Sequence, residues 1–157
     1  MLKLGIESGD QRVLDGLNKG INLHTAEAAL KSLHEAGIAA YVYLLFGTPP
    51  ETLKAARNTM DFVLKNSEAI GFLNLAIFNL PIDSQDAAGL KRKKFYEGDL
   101  SLYADFEHPS GWGRRQVRHF LDREFKRQPA IAAILRRDPP LFTSNHAPFF
   151  TSGFGLK

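Results

Sequence analysis

The stretch IAAYVYLLFGTPPET, residues 38–52, gives the clearest indication of the fold class. Its first part, residues 38–46, is continuously apolar and β-prone, which is typical of a strand covered on both faces in a parallel sheet. The strand has to stop at the turn that follows, because Pro49 and Pro50 lack the amide hydrogens that a strand ladder needs. Apolar residues then recur at helical spacing over residues 52–65. The stretch therefore predicts a buried strand followed directly by a helix.

The same alternation of strand and helix extends to both sides of this stretch. The further predicted elements are a strand at 2–6, a helix at 11–18 with Gly20 as its end signal, a helix that Thr25 caps and Gly37 ends, and a strand at 72–80. Strands and helices that alternate in this way form α/β folds, with right-handed crossovers between parallel strands. We therefore expect an α/β protein with a parallel sheet.

The pattern weakens after residue 80. Residues 82–111 show no sustained period, so we expect a long loop with at most one short helix or strand. Helical spacing returns over residues 114–127, and a short helix over residues 130–136 follows Pro129. We expect the aromatic tail LFTSNHAPFFTSGFG, residues 141–155, to pack over the sheet.

Composition narrows the class of protein. The chain has 157 residues, of which 44% are hydrophobic and 24% charged, as in globular proteins. It has no apolar run of about 18 residues that could cross a membrane and no secretory signal, so we expect a cytoplasmic protein. It contains no cysteine, which excludes disulfides, thiolate nucleophiles and cysteine-ligated metals within this chain.

Positive charge is concentrated in residues 91–127. This segment holds ten Lys or Arg against six Asp or Glu, a net of +4 in a chain whose formal charge is +3. Four adjacent cations, Lys91 to Lys94, are typical of a solvated loop. The alternative is a contact with nucleic acid, in which case the chain is a non-catalytic interaction or RNA-binding module.

Polar residues follow each predicted strand at the point where the strand ends. They are Glu7 and Ser8, then residues 47–51, then residues 79–83. Ligands of parallel sheets bind beyond these carboxyl ends, and a carboxylate there suits the paired hydroxyls of a ribose. The alternative for Glu7 and Ser8 is helix capping. Gly47 would let a ligand ring approach the backbone, or would only serve the turn.

Two segments together resemble a known family. LGIESGDQRVLDGLNKG, residues 4–20, and HEAGIAAYVYLLFGTPPET, residues 34–52, are similar to the second half of radical S-adenosylmethionine (radical SAM) iron–sulfur oxidoreductases, particularly the group associated with cobalamin-binding domains. The resemblance covers about residues 1–80. The chain differs from the family's usual Gly-x-Pro-Gly-Glu-Thr turn at Pro50, which removes an amide hydrogen.

The resemblance implies a partial TIM-type (β/α) barrel, with strands four to six in residues 1–80 and a helical extension packed on it in residues 81–157. It implies ribose and methionine contacts at Glu7 and Ser8. It also implies adenine contacts along the end of strand five, which falls here on the three residues Leu45, Phe46 and Gly47.

The family's catalytic cluster has no counterpart in this chain. In the family, three cysteines hold a 4Fe-4S cluster, and reductive cleavage of S-adenosylmethionine yields a 5′-deoxyadenosyl radical. The resemblance therefore implies a fragment of a longer enzyme that is inactive alone and binds neither cofactor by itself. Its partners would be the missing N-terminal half of the barrel and an unknown substrate. An unpaired strand edge would also favour a homodimer. The five histidines are scattered and predict no metal site.

Overall fold

The computed structural model describes residues 1–84, 89–92 and 102–137. Helices and strands alternate through the first half of the chain, and most of the regular structure described after residue 82 is helical. The elements are β1 (Leu2–Glu7), α1 (Gln11–Gly16), α2 (Leu23–Glu35), β2 (Ala40–Phe46), α3 (Leu53–Lys65), β3 (Ile70–Ile77), β4 (Leu80–Pro81), β5 (Tyr103–Ala104), α4 (Arg114–Arg123), a 3₁₀ turn (Phe125–Arg127) and α5 (Pro129–Leu135).

The first three strands form a parallel sheet in the order β1-β2-β3, which confirms the predicted α/β class. Leu4 of β1 lies beside Val42 of β2, which in turn lies beside Leu73 of β3. Within the described residues the sheet is open, and no closed barrel is seen. β1 forms one edge of this sheet, where the Leu2 side chain is 49% exposed.

One face of the sheet packs against the helices. Alternate residues of β2 (Ala40, Val42, Leu44 and Phe46) lie in the main core, as expected for a strand whose side chains point to opposite faces. The same core holds buried side chains from four helices: Leu30 of α2, Val63 of α3, Phe120 of α4 and Ile131 of α5. On the opposite face Tyr41 is buried against Phe72, and Tyr43 and Leu45 are half-buried, so the helices account for only one side of the continuous apolar run.

The C-terminal helices close this core with aromatic rings. The Phe46 ring meets the Phe125 ring edge-on with centroids 5.5 Å apart, and its centroid lies 6.2 Å from that of Phe120. Trp112 in turn meets Phe120 at 5.8 Å. Edge-to-face pairs of this kind add to the hydrophobic stabilisation of a core.

The ends of the first two helices differ from the predicted ones. α1 is shorter than predicted, because the chain turns into the left-handed region at Asn18 (φ 52°) before it reaches Gly20. Asparagine tolerates this conformation better than most residues. α2 begins at Leu23, since Asn22 caps it by accepting a hydrogen bond from the Thr25 amide at 3.2 Å. The prediction that Thr25 is the cap is therefore wrong.

The third strand is also displaced from its prediction. β3 ends at Ile77, and Leu80 pairs instead with Ala104 in the small antiparallel ladder of β4 and β5. β5 is the short strand expected within the loop at 82–111, and its partner β4 lies just before that range. The tail at 141–155 lies outside the described residues. Among the described helices, none has the length and apolar character needed to cross a bilayer.

Candidate functional site

The carboxyl ends of the three parallel strands meet at one edge of the sheet. β1 ends at Glu7, β2 at Phe46 and β3 at Ile77. The polar residues predicted at these ends therefore lie along a common edge, where ligands of α/β sheets bind. We refer to it as the carboxyl edge.

Glu7 is held at this edge in a strained backbone conformation. Its φ of 66° is in the left-handed region, and the register between β1 and β2 shifts between Gly5 and Glu7. Left-handed glutamate is uncommon and costs free energy, so the surrounding structure must hold it there. The side chain is 20% exposed, and its Oε1 accepts a hydrogen bond from Lys19 Nζ at 3.3 Å. The carboxylate is therefore reachable from solvent and carries a single flexible cation as partner.

Ser8 is fully buried and its hydroxyl is already bonded. Its Oγ lies 3.1 Å from Thr59 Oγ1 and accepts a hydrogen bond from the Asp10 amide at 3.1 Å. Thr59 donates its own proton to Ala55 O, so the Ser8 hydroxyl is the donor to Thr59. Ser8 thus ties the end of β1 to α3.

The capping role belongs to Asp10. Its carboxylate accepts from the amides of Arg12 at 2.9 Å and Val13 at 3.3 Å at the start of α1. The alternative that Glu7 and Ser8 cap α1 is therefore wrong, because Asp10 holds the N-cap position.

The three residues predicted to contact adenine differ in environment. Leu45 is half-buried, whereas the Phe46 side chain is buried in the core and its carbonyl accepts a hydrogen bond from the Phe78 amide at 2.8 Å. Gly47 has φ 79°, and a Cβ there would lie 3.3 Å from Val117 Cγ2. The glycine is required by the turn and by packing against α4. Its predicted contact with a ligand ring stays a prediction.

Alternate residues of the segment at 108–112 donate hydrogen bonds to the turn at 47–51. His108 Nε2 donates to Thr48 O at 2.8 Å, Ser110 Oγ donates to Glu51 O at 3.0 Å, and Trp112 Nε1 donates to Glu51 Oε2 at 2.8 Å. A carbonyl can only accept, which fixes the proton of His108 on Nε2. The C-terminal half of the chain is therefore hydrogen-bonded to the turn that follows β2.

Glu51 is the most unusual side chain of this region. It is 1% exposed, and its Oε2 accepts from both the Gly47 amide and the Trp112 indole. Its Oε1 and the Thr48 hydroxyl are buried among the described residues without a hydrogen-bond partner. Burial raises the pKa of Glu51 to about 7, while the bonds from Gly47 and Trp112 lower it and the charge of Asp10 raises it slightly. This carboxyl can therefore change its proton near neutral pH.

A cavity of about 280 Å³ opens beyond the ends of β2 and β3. Gly47, Phe78, Asn79, His108 and Arg114 are among the residues that line it. Arg114, the first residue of α4, donates to Asn79 Oδ1 across the cavity. The cavity combines aromatic and polar walls at the carboxyl edge.

The described residues hold no group of three acidic or histidine side chains that could bind a metal ion. In the basic cluster, Lys91 pairs with Glu107 at 2.9 Å and Arg92 donates to Ile82 O at 3.3 Å. Lys93 and Lys94 lie outside the described residues.

The sequence did not predict that the segment at 108–112 lies at the carboxyl edge. Its residues fall in a stretch without periodicity, so no spacing links them to the turn at 47–51. The available signal was chemical: Glu51 is an acid in an otherwise uncharged turn, and a buried acid needs donors.

No family profile matches the sequence, and no solved structure matches it. Two relatives share part of it. A protein of Methanopyrus kandleri without an assigned function is 29% identical over 77 residues, which cover 49% of this chain and 14% of the relative. Bacteriochlorophyllide d C-12(1)-methyltransferase of Chlorobaculum tepidum is 34% identical over 67 residues, which cover 42% of this chain and 15% of the enzyme. The chain thus spans about one seventh of these relatives and is weakly similar to a methyltransferase.

Proposed function

We propose that this chain is the nucleoside-orienting part of a radical SAM enzyme, equivalent to strands four to six of its barrel. The observation that carries the proposal is the parallel order β1-β2-β3, with a partly exposed glutamate at the carboxyl end of β1. The resemblance of residues 4–20 and 34–52 to that family supports it. The similarity to a methyltransferase adds support and favours methyl transfer as the reaction of the whole enzyme.

Glu7 suits the role of ribose acceptor. Its carboxylate is held at the edge by a left-handed backbone and is partly exposed, and its partner Lys19 lies on a flexible side chain. Two carboxylate oxygens can accept both hydroxyls of a ribose together. Ser8 contributes by fixing the loop after β1 to α3, and Leu45, Phe46 and Gly47 would face the adenine through their backbone.

The chain does not supply ligands for a 4Fe-4S cluster, because it contains no cysteine. In the proposed enzyme, the cluster would be held by an N-terminal half of the barrel, which would pair with the exposed edge of β1. The cluster would supply the electron that cleaves S-adenosylmethionine. This chain would bind and orient the nucleoside and would be inactive alone.

A nucleoside titration followed by NMR tests the proposal. The probe is 5′-deoxyadenosine, since its ribose and adenine contacts fall on this chain, whereas the cluster and amino-group contacts of S-adenosylmethionine do not. We expect it to shift the amide signals of residues 7–9 and 45–47 at millimolar concentration. The matched control is 2′,3′,5′-trideoxyadenosine, which differs from the probe only in lacking the 2′ and 3′ hydroxyls. Equal shifts with both nucleosides, or shifts away from the carboxyl edge, would contradict the proposal.

A second candidate is the RNA-binding module. The exposed face of α4 carries Arg115, Arg118 and Arg123, which form no ion pair within the described part of the chain. Such a face would bind a polyanion with an affinity that falls steeply with salt. Fluorescence anisotropy of labelled single-stranded RNA at two salt concentrations tests it, with Arg115→Glu/Arg118→Glu as the variant. Binding that is insensitive to both changes would exclude this face.

A further inference from the structure

We propose that Glu51 is a positioning residue that clamps the turn at 47–51 to the segment at 108–112, and that one proton on its carboxyl sets how tightly the clamp closes. The clamp goes beyond the proposed function, and only its consequence for a nucleoside rests on that function.

The geometry makes Glu51 the junction of two parts of the chain. A single oxygen, Oε2, accepts from Gly47 N at the end of β2 and from Trp112 Nε1 ahead of α4. Trp112 also packs its ring on Phe120 of α4. Any change in the carboxyl therefore reaches both the turn and the C-terminal helix.

The two protonation states of Glu51 differ in how well the site satisfies them. The neutral acid keeps Oε2 as the acceptor for both N–H groups and buries no charge, while its hydroxyl at Oε1 has no acceptor among the described residues. The carboxylate also leaves Oε1 without a partner among the described residues and strengthens both N–H bonds, but it buries a charge, and the cost of this desolvation exceeds the gain from the two bonds. Loss of the proton should therefore loosen the clamp and admit water to the turn.

The charged and titratable groups around the clamp come from three elements. Asp10, in the loop after β1, acts on Glu51 through its charge, and His108 contacts the Thr48 carbonyl from the other side. On α3, Lys54 and Arg57 are exposed, and Arg57 pairs with Glu124 at 3.0 Å. His108 is thus the other ionisable group that contacts the turn, so a His108 variant is needed as a control.

The clamp would affect nucleoside binding through Gly47. If Gly47 contacts adenine as proposed, an open clamp would displace a nucleoside-binding residue when the pH rises through neutrality. The clamp itself can be tested without any nucleoside, so its failure and the failure of the proposed function are distinguishable.

The test is an amide and indole NMR titration of the whole chain between about pH 5 and pH 9. Trp112 is the single tryptophan, so its indole signal is unambiguous. We expect the Trp112 indole and the Gly47 amide to shift together, with one midpoint near the value of about 7 for Glu51. Different midpoints for the two signals, or a midpoint at the ordinary carboxyl value, would overturn the proposal.

Three variants assign the titration. Glu51→Gln keeps the shape and the acceptor oxygen, so both signals should stay in place and become independent of pH. His108→Gln should leave the titration intact. Trp112→Phe removes a bond that lowers the pKa of Glu51, so the Gly47 amide should titrate with a higher midpoint. A titration that survives Glu51→Gln or disappears in His108→Gln would overturn the proposal, and the Trp112→Phe result decides it if Glu51→Gln fails to fold.

Discussion

The Trp112 indole donates to Glu51 Oε2 at 2.8 Å, and this bond joins the C-terminal helices to the turn that follows β2. The two residues are 61 positions apart in the chain. The carboxyl edge is therefore built from both halves of the sequence.

Stability should fall as the pH rises from about 5 to 7. The pKa of Glu51 is raised in the folded protein, so its contribution is fully present below the ordinary carboxyl value and is lost as the pH rises through about 7. Over this window the expected slope is about 1.4 kcal/mol of unfolding free energy per pH unit. Urea unfolding at several pH values measures it, and Glu51→Gln should remove this part of the slope. A parallel pH dependence in both proteins would contradict the assignment.

Ser8 should matter for stability. Ser8→Ala removes the bonds to Thr59 Oγ1 and to the Asp10 amide in a fully buried position. We expect a loss of about 1–3 kcal/mol of unfolding free energy, because a buried donor or acceptor is left without a partner. Ser32→Ala on the exposed face of α2 is the control and should change little. Equal effects of the two substitutions would argue against a structural role for Ser8.

Gly47 should tolerate alanine less well than Gly20. Both have positive φ, but a Cβ at Gly47 would lie 3.3 Å from Val117, whereas one at Gly20 would meet nothing within 4 Å. Gly20→Ala should cost about 1 kcal/mol from the left-handed backbone alone, and Gly47→Ala should cost more. Thermal unfolding of the two variants compares them. A smaller loss at Gly47 would show that the turn relaxes freely.

The edge of β1 should promote association of the chain. Its Leu2 side chain is 49% exposed at a strand edge that pairs with no other described strand. We expect sedimentation velocity to show self-association that Leu2→Lys weakens, since charge on an edge strand opposes pairing. Leu102→Lys is the control, because Leu102 is 76% exposed and lies away from β1 in the sequence and outside the parallel sheet. A wild-type chain and two variants that all sediment as monomers would contradict the predicted homodimer.

The sequence predicts the parallel sheet well because its signals are local. The apolar run of β2 and the helical spacing of α3 each specify their own element, and α3 begins one residue after the predicted start, with Thr52 as its N-cap. The predicted ends of α1 and α2 are wrong because, at each end, a second residue nearby can take the same capping or turn position. Asn22 precedes Thr25 as a cap, and Asn18 reaches the left-handed conformation before Gly20.

The candidate site is predicted only in part, for a physical reason. The carboxyl ends of parallel strands can be located from the sequence, which places Glu7 and Gly47 at one edge. The partners of the turn at 47–51 cannot be located this way, because Trp112 and His108 lie in an irregular segment whose position depends on tertiary packing. Ser8 has a structural role because it is buried and hydrogen-bonded, and burial cannot be predicted from a short polar motif.

Glu7 is the proposed ribose acceptor at the carboxyl edge. The most direct test of this role is the dissociation constant of 5′-deoxyadenosine for the wild-type chain, for Glu7→Gln and for Glu27→Gln. Glu27 is the matched control, because it is also half-buried and paired with a lysine, Lys65 at 2.8 Å. We expect Glu7→Gln to weaken binding about tenfold or more, the loss expected for charge-assisted hydrogen bonds, and Glu27→Gln to bind as the wild type does. Equal affinities for all three proteins would contradict this expectation.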